Sequence, residues 1–166
     1  MNEKIPAAAR GAQIIMAGGA AAKRNWEGLV AHTEAEWAGD LDGTMETITR
    51  NAPFQIMYAT GLNVHGWEEV REFYRERMNT FQGQGFQARR WVVTDELIVG
   101  NGYFSGTPRG VFFGTQSIGK KLCLPMNLWI YFEGGLLKGE AVYTDGLEMQ
   151  RQLREGTNQD LNAPLY

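Results

Sequence analysis

The stretch Gly106 to Leu153 constrains this chain most. Two strongly apolar segments, Lys121–Phe132 and Leu137–Thr144, are joined at a tight Glu133-Gly134-Gly135 turn, and Leu147-Glu148-Met149-Gln150-Arg151-Gln152-Leu153 follows with helical character. That layout predicts a long hairpin closed by a helix. It leaves two acidic residues, Glu140 and Asp145, on a mostly hydrophobic strand. Carboxyl groups in apolar surroundings acquire shifted proton affinities, which is how an enzyme without a cofactor performs acid/base chemistry.

Upstream, Trp26, Leu29, Val30, Thr33 and Trp37 recur at helical spacing and predict a first helix over Arg24–Ala38. Gly39-Asp40 ends it and starts a second, Leu41–Thr49, with Asp40 placed as N-cap. Asn51-Ala52-Pro53 stops that helix, and Phe54–Ala59 alternates as a strand. Gly61–Gly66 reads as a loop, and Trp67–Phe81 as a third helix with Trp67, Val70, Phe73, Tyr74, Met78 and Phe81 on its buried stripe. Strands follow over Phe86–Thr94, Glu96–Thr107 and the two hairpin segments, then a helix over Gly146–Arg154. Helices first and an antiparallel meander after make an α+β domain with the helices on one face of the sheet. The expected organisation is an N-terminal extension over 1–23, one domain over 24–154 and a polar tail over 155–166.

Composition narrows the class. With 43% apolar and 21% charged residues the 166-residue chain is expected to be globular and to bury a real core. A net charge of −3, with no basic run longer than a pair such as Arg89-Arg90 or Lys120-Lys121, argues against nucleic acid. The single cysteine, Cys123, leaves no intrachain disulfide and no thiolate metal site; among Leu122, Leu124 and Met126 it reads as a buried thiol. No apolar run approaches the ~20 residues of a membrane span. The short apolar centre of Ala7–Ala22 is interrupted by Gln13 and followed by Gly18-Gly19, so it reads as no signal peptide and the protein is expected to be cytoplasmic.

Several pieces, taken in order, resemble the NTF2-like superfamily and within it the SnoaL-like polyketide cyclases. They are Trp37-Ala38-Gly39-Asp40-Leu41-Asp42, then Val64-His65-Gly66 before Val70-Arg71-Glu72-Phe73-Tyr74. Gly106-Thr107, Gly110, Phe112, Gly114, Gly119-Lys120, Phe132-Glu133-Gly134, Tyr143, Asp145 and Arg151-Gln152-Leu153 complete the pattern. Pro108 stands where relatives often carry a histidine, so no role of that histidine transfers. The resemblance implies a cystatin-like cone, a curved antiparallel sheet with helices on its concave face. It also implies a deep apolar pocket, a homodimer and usually no cofactor. Relatives include cyclases, dehydratases, isomerases, epoxide hydrolases and carbon–carbon lyases, and fold does not choose among them.

Candidate site residues follow from pattern and placement. Glu140 and Asp145 differ by five positions, so on a regular strand they face opposite sides and compete for one catalytic place. The side shared by Leu137, Ala141, Tyr143 and Asp145 is the more apolar, which tilts the choice toward Asp145; a plain N-cap is its alternative. His32, at the edge of the first helix's stripe, is a candidate proton shuttle or a partly exposed helix histidine. His32 and Glu36 alone make a poor metal site, so no metal is expected. Tyr58, His65 and Arg109 are candidate polar contacts to a substrate, each with a structural alternative. Met126 shares one face of its strand with Leu122, Leu124, Leu128, Ile130 and Phe132, and that face packs on helices or lines a cavity. The opposite face, with Asn127, Trp129 and Tyr131, has the look of a contact between subunits. The expected function is a cofactor-independent acid/base enzyme acting on a hydrophobic aromatic or polycyclic oxygenated molecule. The alternative is a non-catalytic ligand-binding or dimerisation module of the same fold.

Overall fold

In the computed structural model, which describes residues 6–112 and 114–157, the chain starts with a single 3-10 turn (Ala7–Ala9) and a strand β1 (Gln13–Ala17). Helix α1 (Ala20–Ala38) ends at Gly39, whose φ of 75° closes the last turn. Asp40 then caps α2 (Leu41–Glu46) by accepting from the Gly43 N–H at 2.9 Å. Strands β2 (Phe54–Met57) and β3 (Leu62–His65) form a hairpin, and α3 (Trp67–Thr80) follows. The long strands β4 (Phe81–Thr94) and β5 (Leu97–Pro108) come next, then the small pair β6 (Val111–Phe112) and β7 (Thr115–Gln116). Strands β8 (Leu122–Glu133) and β9 (Leu136–Thr144) and helix α4 (Gly146–Glu155) complete the described chain. The fold is α+β; β5, β8 and β9 lie within one residue of their predicted bounds, but β4 starts at Phe81, five residues before its predicted start.

The seven-stranded sheet has the order β1-β4-β5-β8-β9-β2-β3. Its centre is the expected antiparallel meander, but both flanks are parallel: β1 runs with β4 and β2 with β9. Periodicity reads neither β1 nor β3, because β1 is exposed at all five positions and both strands are only four or five residues long. The N-terminal extension therefore enters the sheet. It also seals one end of the core: the Trp91 indole Nε1 donates to Ala8 O at 2.8 Å, and both residues are 1% exposed. Helix α1 starts at Ala20, four residues before its predicted start, with Asp95 accepting from the Gly19 and Ala22 N–H groups. The second helix stops at Glu46, and Ile48 instead bridges Leu137. Most of the expected polar tail lies outside the described residues.

Curvature comes from bulges. Strand β4 shifts register between Gln82 and Gly85 and again between Ala88 and Arg90 against β5. Strand β9 shifts between its pairings with Tyr131 and Phe132, leaving Lys138 as the extra residue. The sheet thus wraps the helices and buries Leu29, Met45, Val70, Trp91, Ile98 and Ile130 between them. Helix α4 is pinned to β8 by a two-point clamp, with Gln152 accepting from Cys123 N–H at 2.7 Å and donating to Cys123 O at 2.8 Å. Cys123 is a buried free thiol whose pKa burial pushes up to about 11.

Candidate active site

The bulge at Lys138 decides which acid faces the interior. Without it Leu137 and Glu140 would point to opposite sides; with it, Leu137, Glu140 and Val142 are all buried, while Tyr143 turns outward. Glu140 pairs in register with Ile130 on β8 and with Gln55 on β2, so three inward side chains stand abreast. Asp145 is exposed, and its carboxylate accepts from the Leu147 and Glu148 N–H groups at 2.9 and 3.1 Å. It is the N-cap of α4, which corrects the tilt toward it as the inward acid. Replacing Asp145 with Ala should cost about 1 kcal/mol of stability, read by urea denaturation, with turnover unchanged.

Glu140 opens on a cavity of about 540 Å³ between the helices and the concave sheet face. Its walls are mostly aromatic and aliphatic, including Trp37, Phe86, Trp91, Phe104, Met126 and Leu128. Helix α1 presents Glu36 to this space, and α3 presents Arg77. An Arg77 Nη2–Glu36 Oε1 ion pair of 3.1 Å joins the two helices across the cavity wall, and Arg77 Nε donates to Gln84 at 3.1 Å.

Behind Glu140 lies a buried polar chain. Gln55 Nε2 donates to the Tyr74 hydroxyl at 2.7 Å, and both side chains stand close enough to Glu140 to favour its ionised form. The Tyr74 hydroxyl lies 3.2 Å from His32 Nε2. Thr47 Oγ1 gives its own proton to Thr44 O at 2.6 Å, so at 2.7 Å it must accept from His32 Nδ1. That fixes the tautomer and leaves Nε2 as an acceptor. The single Tyr74 proton thus has two acceptors: it can go to Glu140 when that group is ionised and to His32 when it is not.

The electrostatics divide these roles. Burial, reinforced by the Glu36 charge, pushes the Glu140 pKa up to about 7, against the pull of Arg77 and the Gln55 and Tyr74 hydrogen bonds. Burial also raises Glu36, with Arg77 opposing. His32 is forced down to about 3, by burial first and then by Arg77, so it stays neutral across the physiological range. Burial and then the Glu140 charge hold the Tyr74 hydroxyl well above its usual value.

Other sequence candidates sit elsewhere. His32 is fully buried behind Tyr74 rather than at a cavity mouth, and with its pKa this far down it is no proton shuttle. Tyr58 follows the last residue of β2 with its side chain outward, 57% exposed and stacked on Tyr143 at 4.6 Å. His65 is exposed on β3 and bonded to Asn63 at 2.7 Å. Arg109 is exposed and donates to Gln82 at 2.6 Å. None of these three lines the cavity. Met126 does line it. Reasoning from sequence missed Arg77, Tyr74 and Gln55 as site residues. One signal was present: Arg77 falls on the stripe between Tyr74 and Phe81, a charge where the pattern calls for an apolar residue. Among the described residues no group of three or more His, Cys, Asp and Glu could hold a metal ion, and no helix is long and apolar enough to cross a membrane.

No family model and no curated protein matches this sequence. Solved structures do. One from Jannaschia sp. CCS1, designated a SnoaL-like polyketide cyclase, superposes with a TM-score of 0.71 at 18% identity, covering 81% of this chain and 94% of that one. An NTF2-like protein of unknown function from Burkholderia pseudomallei K96243 superposes at 0.63 with 20% identity, over 78% of this chain and 97% of that one. The chain has the NTF2-like fold. A third neighbour, from Catenulispora acidiphila DSM 44928, is described as having a ketosteroid isomerase-like fold and was crystallised with trimethylamine. It superposes at 0.58 with 11% identity, over 70% of this chain and 84% of that one. At these identities the NTF2-like likeness speaks for architecture and not for a reaction.

Proposed function

We propose that this protein is a cofactor-independent acid/base enzyme acting on a hydrophobic, aromatic or polycyclic oxygenated molecule, with Glu140 as the proton-transfer group. The observation that carries this reading is a carboxyl group facing an aromatic-lined cavity with its pKa raised to about 7. A base poised near the working pH is both available and strong enough to take a proton from carbon next to a carbonyl. In that step the C–H bond breaks, its electron pair moves toward the carbonyl oxygen as an enolate, and Glu140 becomes the neutral acid. Returning the proton to another atom gives isomerisation; loss of a leaving group gives dehydration; attack of the enolate on a second carbonyl gives cyclisation, and the reverse gives retro-aldol cleavage. Tyr74 and Gln55 hold Glu140 in one orientation, and neutral His32 accepts the Tyr74 hydrogen bond when Glu140 is protonated. The cavity-facing Glu140 favours this reading over a purely ligand-binding module. Trp129 and Tyr143, 40% and 43% exposed on the outer sheet face, support a working homodimer, and a single-chain mass in light scattering would overturn that part.

The test is exchange of α-protons for deuterium, followed by NMR, on a panel of ketones fused to aromatic rings. Exchange no faster than in buffer, for ketones shown to bind, would sink the proposal. Catalysis needs ionised Glu140, so the rate should rise with pH and level off above about 7. Glu36→Gln removes the charge that raises this group, so the inflection should move to lower pH.

A further inference from the structure

Arg77 is the one cation among the described residues lining the cavity, and burying a charge there costs several kcal/mol that an apolar pair would not. Its side chain remains 19% exposed, against 5% for Glu36, in a mostly aromatic and aliphatic wall that Glu76, Asn79 and Thr80 join beside it. Neutralising a cation needs only one partner. A guanidinium, however, carries five N–H donors over three nitrogens. Nε donates to Gln84, and Nη2 stands in an ion pair with Glu36 Oε1 that lacks hydrogen-bond geometry. Nη1 has no hydrogen-bond partner among the described residues, and Arg77 lies over Phe104 with Cζ 5.2 Å from the ring centre. A guanidinium held at Nε, ion-paired at Nη2 and lying over an aromatic ring keeps N–H donors for an oxygen on a flat molecule.

We propose that Arg77 orients the ligand through Nη1, by binding a negatively charged oxygen (carboxylate or enolate) attached to an aromatic ring system. This narrows the substrate class of the site above to acidic aromatics and rests on that reading only for the role of Glu140. Glu36 is then the standing partner of Arg77, and its charge competes with the oxygen of the ligand. Glu140, on the strand opposite α3, faces the same space, so an oxygen held at Arg77 brings its neighbouring carbon within the walls that Glu140 lines.

Calorimetry with 2-naphthoate and the uncharged 2-naphthylmethanol, below pH 7 where Glu140 keeps its proton, tests this. The native protein should bind the acid at least tenfold more tightly than the alcohol. Arg77→Gln should bring the two within about twofold by weakening the acid alone. Glu36→Gln should tighten the acid several-fold, because it removes the competing negative charge. Equal affinities in the native protein, or a preference that survives Arg77→Gln, would overturn the proposal. Should Arg77→Gln fail to fold, the double variant Glu36→Gln/Arg77→Met leaves no buried charge unpaired and reads the same preference. Because these are binding measurements, they can fail while deuterium exchange by Glu140 succeeds, and the reverse.

Discussion

Glu140→Gln should lower the α-proton exchange rate by about a thousandfold while making the folded protein more stable above pH 7. The amide keeps the shape of the carboxyl and its place between Gln55 and Tyr74, but it cannot accept a proton from carbon. The stability change follows from linkage. Glu140 binds its proton more tightly folded, at about 7, than at its ordinary value of 4.5. Between those limits the folded state holds the extra proton, so its contribution is fully present below 4.5 and is lost as pH rises through 7. Above that, a carboxylate held in the core costs on the order of 3 kcal/mol, which a neutral amide removes. Thermal melting at pH 8, beside exchange rates for the same two proteins, checks both halves. A merely structural Glu140 would give lower stability and unchanged exchange per folded molecule. A group that destabilises its own fold at working pH is what a selected catalytic carboxyl looks like.

Gly28→Val should be among the most damaging single changes outside the site. Gly28 lies within α1, where an exposed glycine would gain about 1 kcal/mol of helix stability on becoming alanine. Here the sign reverses. A Cβ at this position would stand 2.1 Å from Gly135 O, backbone of the β8–β9 turn, with the Phe132 ring also close. Backbone atoms cannot swing aside as the end of a flexible side chain would. Alanine should therefore cost about 2 kcal/mol and valine 3 kcal/mol or more, seen as a lowered urea midpoint. The neighbouring exposed Glu27→Ala should change it by less than about 0.5 kcal/mol. The valine variant should also lose exchange activity, since this turn sits next to the bulge that sets the facing of Glu140.

These two positions mark where reasoning from sequence succeeds and where it stops. The helix stripes, the Gly39 stop, the Asp40 cap and the paired apolar segments around Glu133-Gly134-Gly135 are local signals, set within a few residues of themselves. They predict an α+β domain with its helices on one face of the sheet and nearly all of its long elements. Strand β1 escapes because its stability comes from pairing with β4, distant in the chain, and its residues carry no alternation. The candidate site was half legible. Glu140 stands out as an acid in an apolar strand, but strand parity misassigned its partners, because one extra residue at Lys138 inverts every facing before it. Tyr58, His65 and Arg109 were chosen for their chemistry, and the burial that decides a site residue is not written in residue type.

The amino-acid order alone determined the helix stripes, the Gly39 stop, the Asp40 cap and the paired apolar strands of the β8–β9 hairpin. Each follows from propensity, periodicity or composition, which are properties of neighbours in the chain. Only the tertiary structure decided that Glu140 rather than Asp145 faces the cavity, that Glu36 pairs with Arg77, and that His32 and Tyr74 stand behind the acid. Those groups come from α1, α3, β2 and β9, and their proton affinities depend on the burial and mutual charge that exist once the elements have packed.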